Sequence, residues 1–436
     1  MILEKDINKY IPKLQGKKLL ILGGASQHIK LVEAARELGV KSYVTDNLPI
    51  TLAPAKKIAD QAFDINLTEI DKLVELCRKL EIDGIASGWL DFPQIYYQRL
   101  CESLELPCYG TKKQFEIFTQ KALFKKVCSN HGVDTPMEIS TQNIEDMSEK
   151  LPFAIFVKPS DSAGSKGSSV VETKSELLLA IEQAKSVSND GQAVVEQFIQ
   201  NGKAFLVVYF FYNGKAYIQQ LSDAFFGDKA DGMDKINVAY RSPFSKADEY
   251  MKIANQKVVE MLTDLGVENG PVCMQGFLFH DNILFYDPGR RFPGGEYERI
   301  VKKYTGVDMM KGMVIFALTG KWPKEALPIG ERPYLLGGKT TIRLQINVCA
   351  GKVKEERGFI EANSLPFLTY LAKYHSPGDI IQNTGNTHQR YAQAIIGADT
   401  TEELIKYVEK FYNMIDVIDN EGKSMIRSKL NVRELL

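Results

Sequence analysis

Phe156-Val157-Lys158-Pro159-Ser160-Asp161-Ser162-Ala163-Gly164-Ser165-Lys166-Gly167-Ser168-Ser169 is the stretch that organises the chain. An apolar run delivers Lys158, small residues let the backbone fold closely around an anion, and Lys166 brings a second positive charge into the loop. The pattern predicts a strand from Ala154 to Lys158, a phosphate cradle in the small-residue loop Pro159 to Gly167, and a returning strand from Ser168 to Val171. It is not a Walker A loop, because the G-x-x-x-x-G-K-[ST] spacing is absent and a strand follows where a helix would. The same residues also describe a flexible hairpin tip with solvated lysines.

Hairpins continue downstream. Gln192 to Ile199 reads as a strand, and Phe205 to Tyr212 as another that returns through Asn213-Gly214 as far as about Leu221. Asn-Gly between two apolar runs is the strongest short hairpin signal. A further hairpin, Val272 to His280 with Ile283 to Asp287, is expected to turn at Asp281-Asn282. Beyond Leu327 the chain reads as a strand from Thr341 to Val348, a long loop rich in Gly, Asn and Pro, and a closing helix from Thr401 to about Asn413.

Upstream the pattern is different. A strand, Lys18 to Leu22, ends at Gly23-Gly24; a helix, Ile29 to Leu38, stops at Gly39; a second strand, Ser42 to Thr45, ends at Asp46. A helix with Thr68 as N-cap then runs to about Leu80, before a strand from Gly84 to Ser87. This βαβαβ order predicts a parallel sheet with its functional crevice at the carboxyl ends of the strands, where Gly23 to His28, Asp46 and Gly88 to Asp91 fall. Gly23-Gly24-Ala25-Ser26-Gln27-His28 lacks the spaced glycines of G-x-G-x-x-G, so a tight strand-to-helix turn is preferred to a dinucleotide site.

Bulk properties narrow the classes. A length of 436 residues suggests two to four domains with their own cores. The 54 basic and 55 acidic residues nearly cancel, which argues against a nucleic-acid partner. The longest apolar run, Ala204 to Tyr212, is about half of what a membrane span needs, and Met1 to Lys18 is charged, unlike a signal peptide. The expectation is a cytoplasmic protein with no membrane partner. Six scattered cysteines without C-x-x-C read as reduced packing residues. The histidines show no metal spacing, and G-x-S-x-G is absent.

The order of the charged residues is more informative than any one motif. Lys121, in Thr119-Gln120-Lys121-Ala122-Leu123-Phe124-Lys125, precedes the loop by about forty residues; Glu196-Gln197-Phe198-Ile199 follows it; Asp287, Arg290 and Arg291 come on and after the later hairpin. In this order the chain resembles the ATP-grasp superfamily over roughly residues 1–430, and its outer units are similar to those of carboxylase and carbamoyl-phosphate-synthase-type members. The resemblance implies a mixed α/β and α+β fold: a Rossmann-like pre-ATP-grasp domain (1–110), a two-lobed ATP-grasp domain (111–328, lid lobe about 134–200) and a small C-terminal α+β domain (329–436).

It also implies roles. Lys121 and Lys158 would contact the α- and β-phosphates of ATP, and the loop with Ser160, Gly164, Ser165, Lys166, Gly167 and Ser168 would close over them, Lys166 being its charged finger. Glu196, Gln197, Phe198 and Ile199 would form the adenine hinge. For the metal, a three-residue turn His280-Asp281-Asn282 sets Gln275 directly opposite Asp287 on one face, and a two-residue turn makes them diagonal neighbours; both geometries let two oxygen ligands reach one small hard cation. The common family pattern is Glu on the first strand and Glu-x-Asn on the second, whereas here Gln275, Asp287 and Gly289 stand; Asp287 suffices for one Mg²⁺, and the sequence leaves one ion or two open. Asp287 is also what an ordinary turn-initiating Asp before Pro288-Gly289 would look like. The ribose-binding acid expected after the hinge is replaced by Lys203-Ala204.

Among the arginines, Arg291 matches the family's catalytic arginine by its spacing from Asp287 and suits a transferring phosphoryl group; Arg290 is expected to be surface charge paired with Glu296 or Glu298. Arg241, in Tyr240-Arg241-Ser242-Pro243, offers a further catalytic cation or is an ordinary loop arginine. The function implied is an ATP-dependent ligase that activates a substrate carboxylate as an acyl phosphate and joins it to an amine, releasing ADP and phosphate. Alternatives are a bicarbonate-using carboxylase or carbamoyl-phosphate-type enzyme, and an ATP-binding regulatory protein that has lost catalysis. A homodimer is the default expectation for such a chain.

Overall fold

The computed structural model describes residues 7–141, 144, 151, 154–160, 167–228, 236–327 and 332–436. Four parallel strands open the chain: β1 (Lys18–Leu22), β2 (Lys41–Thr45), β3 (Gln61–Phe63) and β4 (Gly84–Ala86), in the order β3-β2-β1-β4. Leu19 to Leu22 are fully buried, as a strand covered on both faces requires. The helix Ile29–Glu37 buries Leu31, Val32, Ala34 and Ala35, and Gly39 follows it at φ +71°. One local expectation fails, and one strand, β3, stands where none was expected. The helix Ile70–Leu80 has Glu69 at its N-cap position in place of Thr68, whose hydroxyl donates to Asn66. β3 is an edge strand of three residues, too short to show a period.

Gly23 and Gly24 owe their small size to packing. A Cβ on Gly23 would lie 2.8 Å from the His28 ring, and one on Gly24 would lie 2.7 Å from Ala53 Cβ. Gly24 N also donates to Asp46 Oδ2 at 2.7 Å, so the ends of β1 and β2 are tied together.

A small antiparallel sheet follows, β6-β5-β7, made of β5 (Ile155–Pro159), β6 (Ser169–Val171) and β7 (Ala193–Gln197). The helix Lys174–Val187, closed at its start by a capping box between Thr173 and Glu176, packs Leu177, Ile181 and Ala184 against it.

The largest element is a nine-stranded sheet. Its strands are β8 (Lys203–Tyr212), β9 (Lys215–Phe226), β10 (Asn237–Ser242), β11 (Gly270–Phe279), β12 (Asn282–Gly289) and β13 (Thr340–Val348), with three more from the C-terminal part. That part contains β14 (Gly351–Arg357), β15 (Leu368–Lys373), β16 (Ile380–Ile381), β17 (Arg390–Ala398), β18 (Asp416–Asp419) and β19 (Ile426–Arg427). The order is β12-β11-β8-β9-β10-β13-β17-β15 with β19 on β13, while β16-β14-β18 form a separate small sheet. The Asn213-Gly214 turn is as expected, both residues at positive φ. The long loop expected after Val348 is instead β14 to β17, and β17 lies inside the large sheet. Tyr391 to Ile396 are buried on both faces, which erases the alternation by which a strand is recognised.

β8 shows how the sheet is sandwiched. Phe205, Val207, Tyr209 and Phe211 pack on one side with Val258, Met261 and Leu262 of the helix Gln256–Asp264, while Leu206, Val208 and Phe210 face the N-terminal unit. The chain is thus mixed α/β, parallel at its start and antiparallel beyond. All six cysteines are free. Among the described residues no helix is long and apolar enough to cross a membrane.

Candidate active site

β11 and β12 set the register of the site. Near the turn their pairing is that of a two-residue loop, Phe279 opposite Asn282 with His280 at φ +50°, and not the turn at Asp281-Asn282. A bulge then inserts Tyr286, and beyond it Gln275 stands directly opposite Asp287. The expected pairing therefore arises by a different route. A two-residue turn alone would have set Gln275 opposite Tyr286 and turned the Asp287 side chain to the other face of the sheet, so the diagonal geometry expected for that turn does not hold and the bulge is what brings the two together. Gln275 Nε2 donates to Asp287 Oδ2 at 3.2 Å, and the Tyr286 hydroxyl donates to Gln275 Oε1 at 3.0 Å.

Charged groups from four parts of the chain converge on Asp287. Burial raises its pKa above the usual carboxylate range, against the pull of Lys121, Arg291 and Lys158, and Asp91 adds to the rise. Lys121, the first residue of the helix Lys121–Asn130, has its pKa lowered by burial and feels Asp287, Lys158, Glu196 and Asp91. Lys158, on β5, is ion-paired to Glu196 of β7, and Lys125 lies 3.6 Å from the same carboxylate. Arg291 is gripped by Asp91 through Nε and Nη2, both at 2.5 Å; burial alone would lower its pKa, but the Asp91 carboxylate outweighs burial and raises it.

Asp91 and Lys125 are the members that sequence reasoning did not assign. Asp91 was visible only as the end of a crevice segment, and nothing local announces a partner 200 residues away.

The remaining expected residues are distributed as follows. Gly164, Ser165 and Lys166 lie outside the described residues. Ser160 donates its hydroxyl to Asp190 at 2.5 Å, within the small lobe, and Gly167 and Ser168 stand at the base of the loop, Gly167 at φ +73°. In the hinge segment the amides of Gln197 and Phe198 already donate to Met137 O and Ala154 O, and Ile199 is buried. Glu196 faces the lysines and not an adenine edge.

Two arginines depart from expectation. Arg290 is no surface charge: it is 1% exposed, stacks on Tyr109, and donates to the carbonyls of Pro271, Tyr109 and Asn269, plugging the join between β11 and the N-terminal unit. Arg241 is turned away from the site. Its neighbour Tyr240 feels Asp287, so by strand alternation Arg241 projects from the opposite face, where Asp223 holds it through Nε at 2.9 Å and Nη2 at 2.6 Å. A catalytic role for it is replaced by this buried ion pair.

The donor set fits one magnesium ion. Mg²⁺ accepts one or two carboxylates and fills its other positions with water and phosphate oxygens. Asp287 supplies one carboxylate; Gln275 turns its amide nitrogen to Asp287 and its oxygen to Tyr286, so it would add an oxygen ligand only with its amide turned over, and among the described residues no cluster of three or more His, Cys, Asp or Glu that could hold a metal occurs.

Comparison with known proteins bears on the fold that holds these residues. Residues 124–223 match the family described as D-ala D-ala ligase C-terminus, a match that stops before the β11–β12 hairpin. The chain is 30% identical to a D-alanine–D-alanine ligase A of Bacillus cereus over 158 residues, 35% of this chain and 47% of that protein. It is 24% identical to the small subunit of a 2-oxoglutarate carboxylase of Hydrogenobacter thermophilus over 205 residues, 43% of each. The chain thus matches less than half of the length of these relatives. An L-amino acid ligase of Bacillus licheniformis superposes with a TM-score of 0.77 at 20% identity, covering 93% of this chain and 99% of that one. The biotin carboxylase domain dimer of the Hydrogenobacter enzyme, solved with MgADP and bicarbonate, superposes at 0.73 and 17% identity, covering 97% and 93%. Residues 124–223 thus carry the likeness to the ligase family, and the solved structures extend the same fold over almost the whole chain.

Proposed function

We propose that the chain is an ATP-dependent ligase that activates a carboxylate as an acyl phosphate and joins it to an amine. One observation carries the reading: Lys121, Lys158, Asp287 and Arg291, drawn from four separate segments, lie within electrostatic reach of one another, Lys158 buried and the other three partly so. A carboxylate oxygen of the substrate would attack the γ-phosphorus of ATP, ADP would leave, and the amine would then displace phosphate from the acyl carbon. Lys121 and Lys158 would hold the phosphates, and Arg291, fixed by Asp91, would present a preorganised cation to the transferring group. Asp287, with Gln275, would hold the magnesium, which supplies charge neutralisation at the phosphate oxygens. Gln197 to Ile199 would line the base, and the loop from Ser160 to Ser168 would exclude water. The boundaries near residues 110 and 328 and a homodimer complete the proposal.

ADP release on incubation with MgATP and pools of amino acids, small carboxylates or bicarbonate tests it. Pool-dependent release that Asp287→Ala abolishes supports the ligase. A second reading, ATP binding without catalysis, is favoured by the self-satisfied Gln275–Asp287–Tyr286 bonding. Stabilisation by MgATP with no ADP release from any pool would select it, and no stabilisation by MgATP would remove both.

A further inference from the structure

The face of the large sheet that carries Asp287 continues across β10 to β13 and β17, and there it becomes polar. Arg343 and Gln345 alternate with the apolar Ile342, Leu344 and Ile346, which fill the opposite core. Gln345 stands directly opposite Gln393 of β17, and Arg390 opens the same strand. Arg343, Gln345 and Gln393 are 2%, 3% and 0% exposed, so this is an interior, not a surface.

Its hydrogen bonding is incomplete in a patterned way. Arg343 Nη1 donates to the carbonyls of Gly294 and Gly295, and Gln393 Nε2 donates to Gly295 O at 3.0 Å, so the loop following Arg291 is anchored here. A Cβ on Gly295 would lie 2.6 Å from Arg343 Nη1, leaving no side chain between loop and guanidinium. Yet Arg343 Nε and Arg390 Nε, two cationic donors, are buried without a hydrogen-bond partner, and so are Gln345 Oε1 and Gln393 Oε1, two neutral acceptors.

The charge is equally unbalanced. The carboxylate that acts on Arg343 is Glu296, and it is already paired with Lys30 at 2.9 Å and Arg299 at 2.7 Å. Among the described residues neither Arg343 nor Arg390 has a carboxylate at ion-pair distance. Burial lowers both guanidinium pKa values, Arg343's to about 10. A buried charge without a counter-charge is costly, and proteins keep such groups where a ligand supplies the partner. Tyr240 links the two regions, since it feels Arg343 and Arg390 on one side and Asp287 on the other, and Arg343 lies 4.2 Å over its ring.

We propose that Arg343, Arg390, Gln345 and Gln393 bind the amine substrate as an α-amino acid, the two guanidiniums taking its carboxylate and the two amide oxygens its amino group. The proposal rests on the ligase reading and names the class of its acceptor. A carboxylate alone would satisfy the two Nε donors and leave the acceptors orphaned; an amine alone would do the reverse. An amino acid answers both sets at once, with its amino group held by neutral acceptors that leave it able to shed a proton and attack. The Gly294-Gly295 anchor sets this amine beside the loop that begins at Arg291.

The test is calorimetric titration of the full chain, with and without MgADP, using single L-amino acids, their carboxamides and their deaminated acids. At least one amino acid is expected to bind, with its carboxamide and its deaminated acid each about tenfold or more weaker. Arg390→Gln is expected to weaken that amino acid by about 10- to 100-fold and Arg390→Lys by less; Arg390 also hydrogen-bonds Tyr374, so Arg390→Lys, which keeps the charge, serves as the control for folding and is expected to leave the melting temperature of the ligand-free protein unchanged. Failure of every amino acid in a protein that MgATP stabilises would overturn the proposal, as would binding indifferent to both Arg390 variants. Amino acid binding without any response to MgATP would support this subsite and count against the ligase reading alone.

Discussion

Replacing Asp91 by Asn removes the charge that fixes Arg291 while keeping the side chain's shape. The fork is made of two charge-assisted bonds of 2.5 Å, and bonds of that kind contribute about 1.5–3 kcal/mol each when well buried. The side chains remain 14% and 24% exposed, so solvent screens part of the attraction. A coupling of about 2 kcal/mol is therefore expected in a double-mutant cycle of Asp91→Asn, Arg291→Gln and the pair, read by chemical denaturation. The partners belong to the N-terminal unit and to the loop after β12, so the loss should appear in the docking of these parts and not in the core of either. ADP release by Asp91→Asn should fall by about 100-fold, the cost of a misplaced catalytic cation. A coupling below about 0.5 kcal/mol, with turnover intact, would refute the claim that Asp91 positions Arg291.

Three further outcomes follow from particular contacts. His28 is held neutral by burial, its pKa down from 6.5 to about 4, so between those values the unfolded chain binds a proton that the folded chain refuses. Stability should fall as pH falls through that window, by about 1.4 kcal/mol per unit and roughly 3 kcal/mol in all; His28→Phe should flatten the slope, and an unchanged slope would exclude His28 as its source. Gln275→Glu adds a second carboxylate opposite Asp287, and should increase the extra melting-temperature gain that Mg²⁺ gives with ATP while lowering the melting temperature without metal; an identical metal dependence would mean that Gln275 is not a ligand position. Gly24→Ala drives a methyl into Ala53, and should cost about 1–3 kcal/mol in thermal unfolding; a neutral result would show that the turn yields easily.

Elements with local chemistry were legible in the sequence. β1, the Asn213-Gly214 hairpin and the closing helix announce themselves through apolar period, turn residues and caps, because short-range physics decides them. The Gln275–Asp287 pairing was reached on a turn length that the structure does not have, and the Tyr286 bulge makes up the missing residue. β17 was hidden because a strand buried on both faces shows no period. The site residues split likewise. Lys121, Lys158, Asp287 and Arg291 stand in a recognisable order, whereas the partnership of Asp91 and the opposed faces of Tyr240 and Arg241 depend on tertiary packing, which no local spacing encodes. Arg290 departs from expectation because a buried loop arginine is indistinguishable in sequence from a surface one until its carbonyl partners, three of them, are assembled around it.

The junction of β10 with β13 also governs how the gene can be cut. Ala239 to Ser242 pair with Thr341 to Leu344, so a chain stopped near residue 328 would bare those backbone amides and carbonyls on the flank of a largely apolar sheet. An uncovered edge of that kind templates pairing with other chains. Expression of the first three quarters alone should therefore yield aggregates, and the unit that can be handled in isolation is the whole sheet.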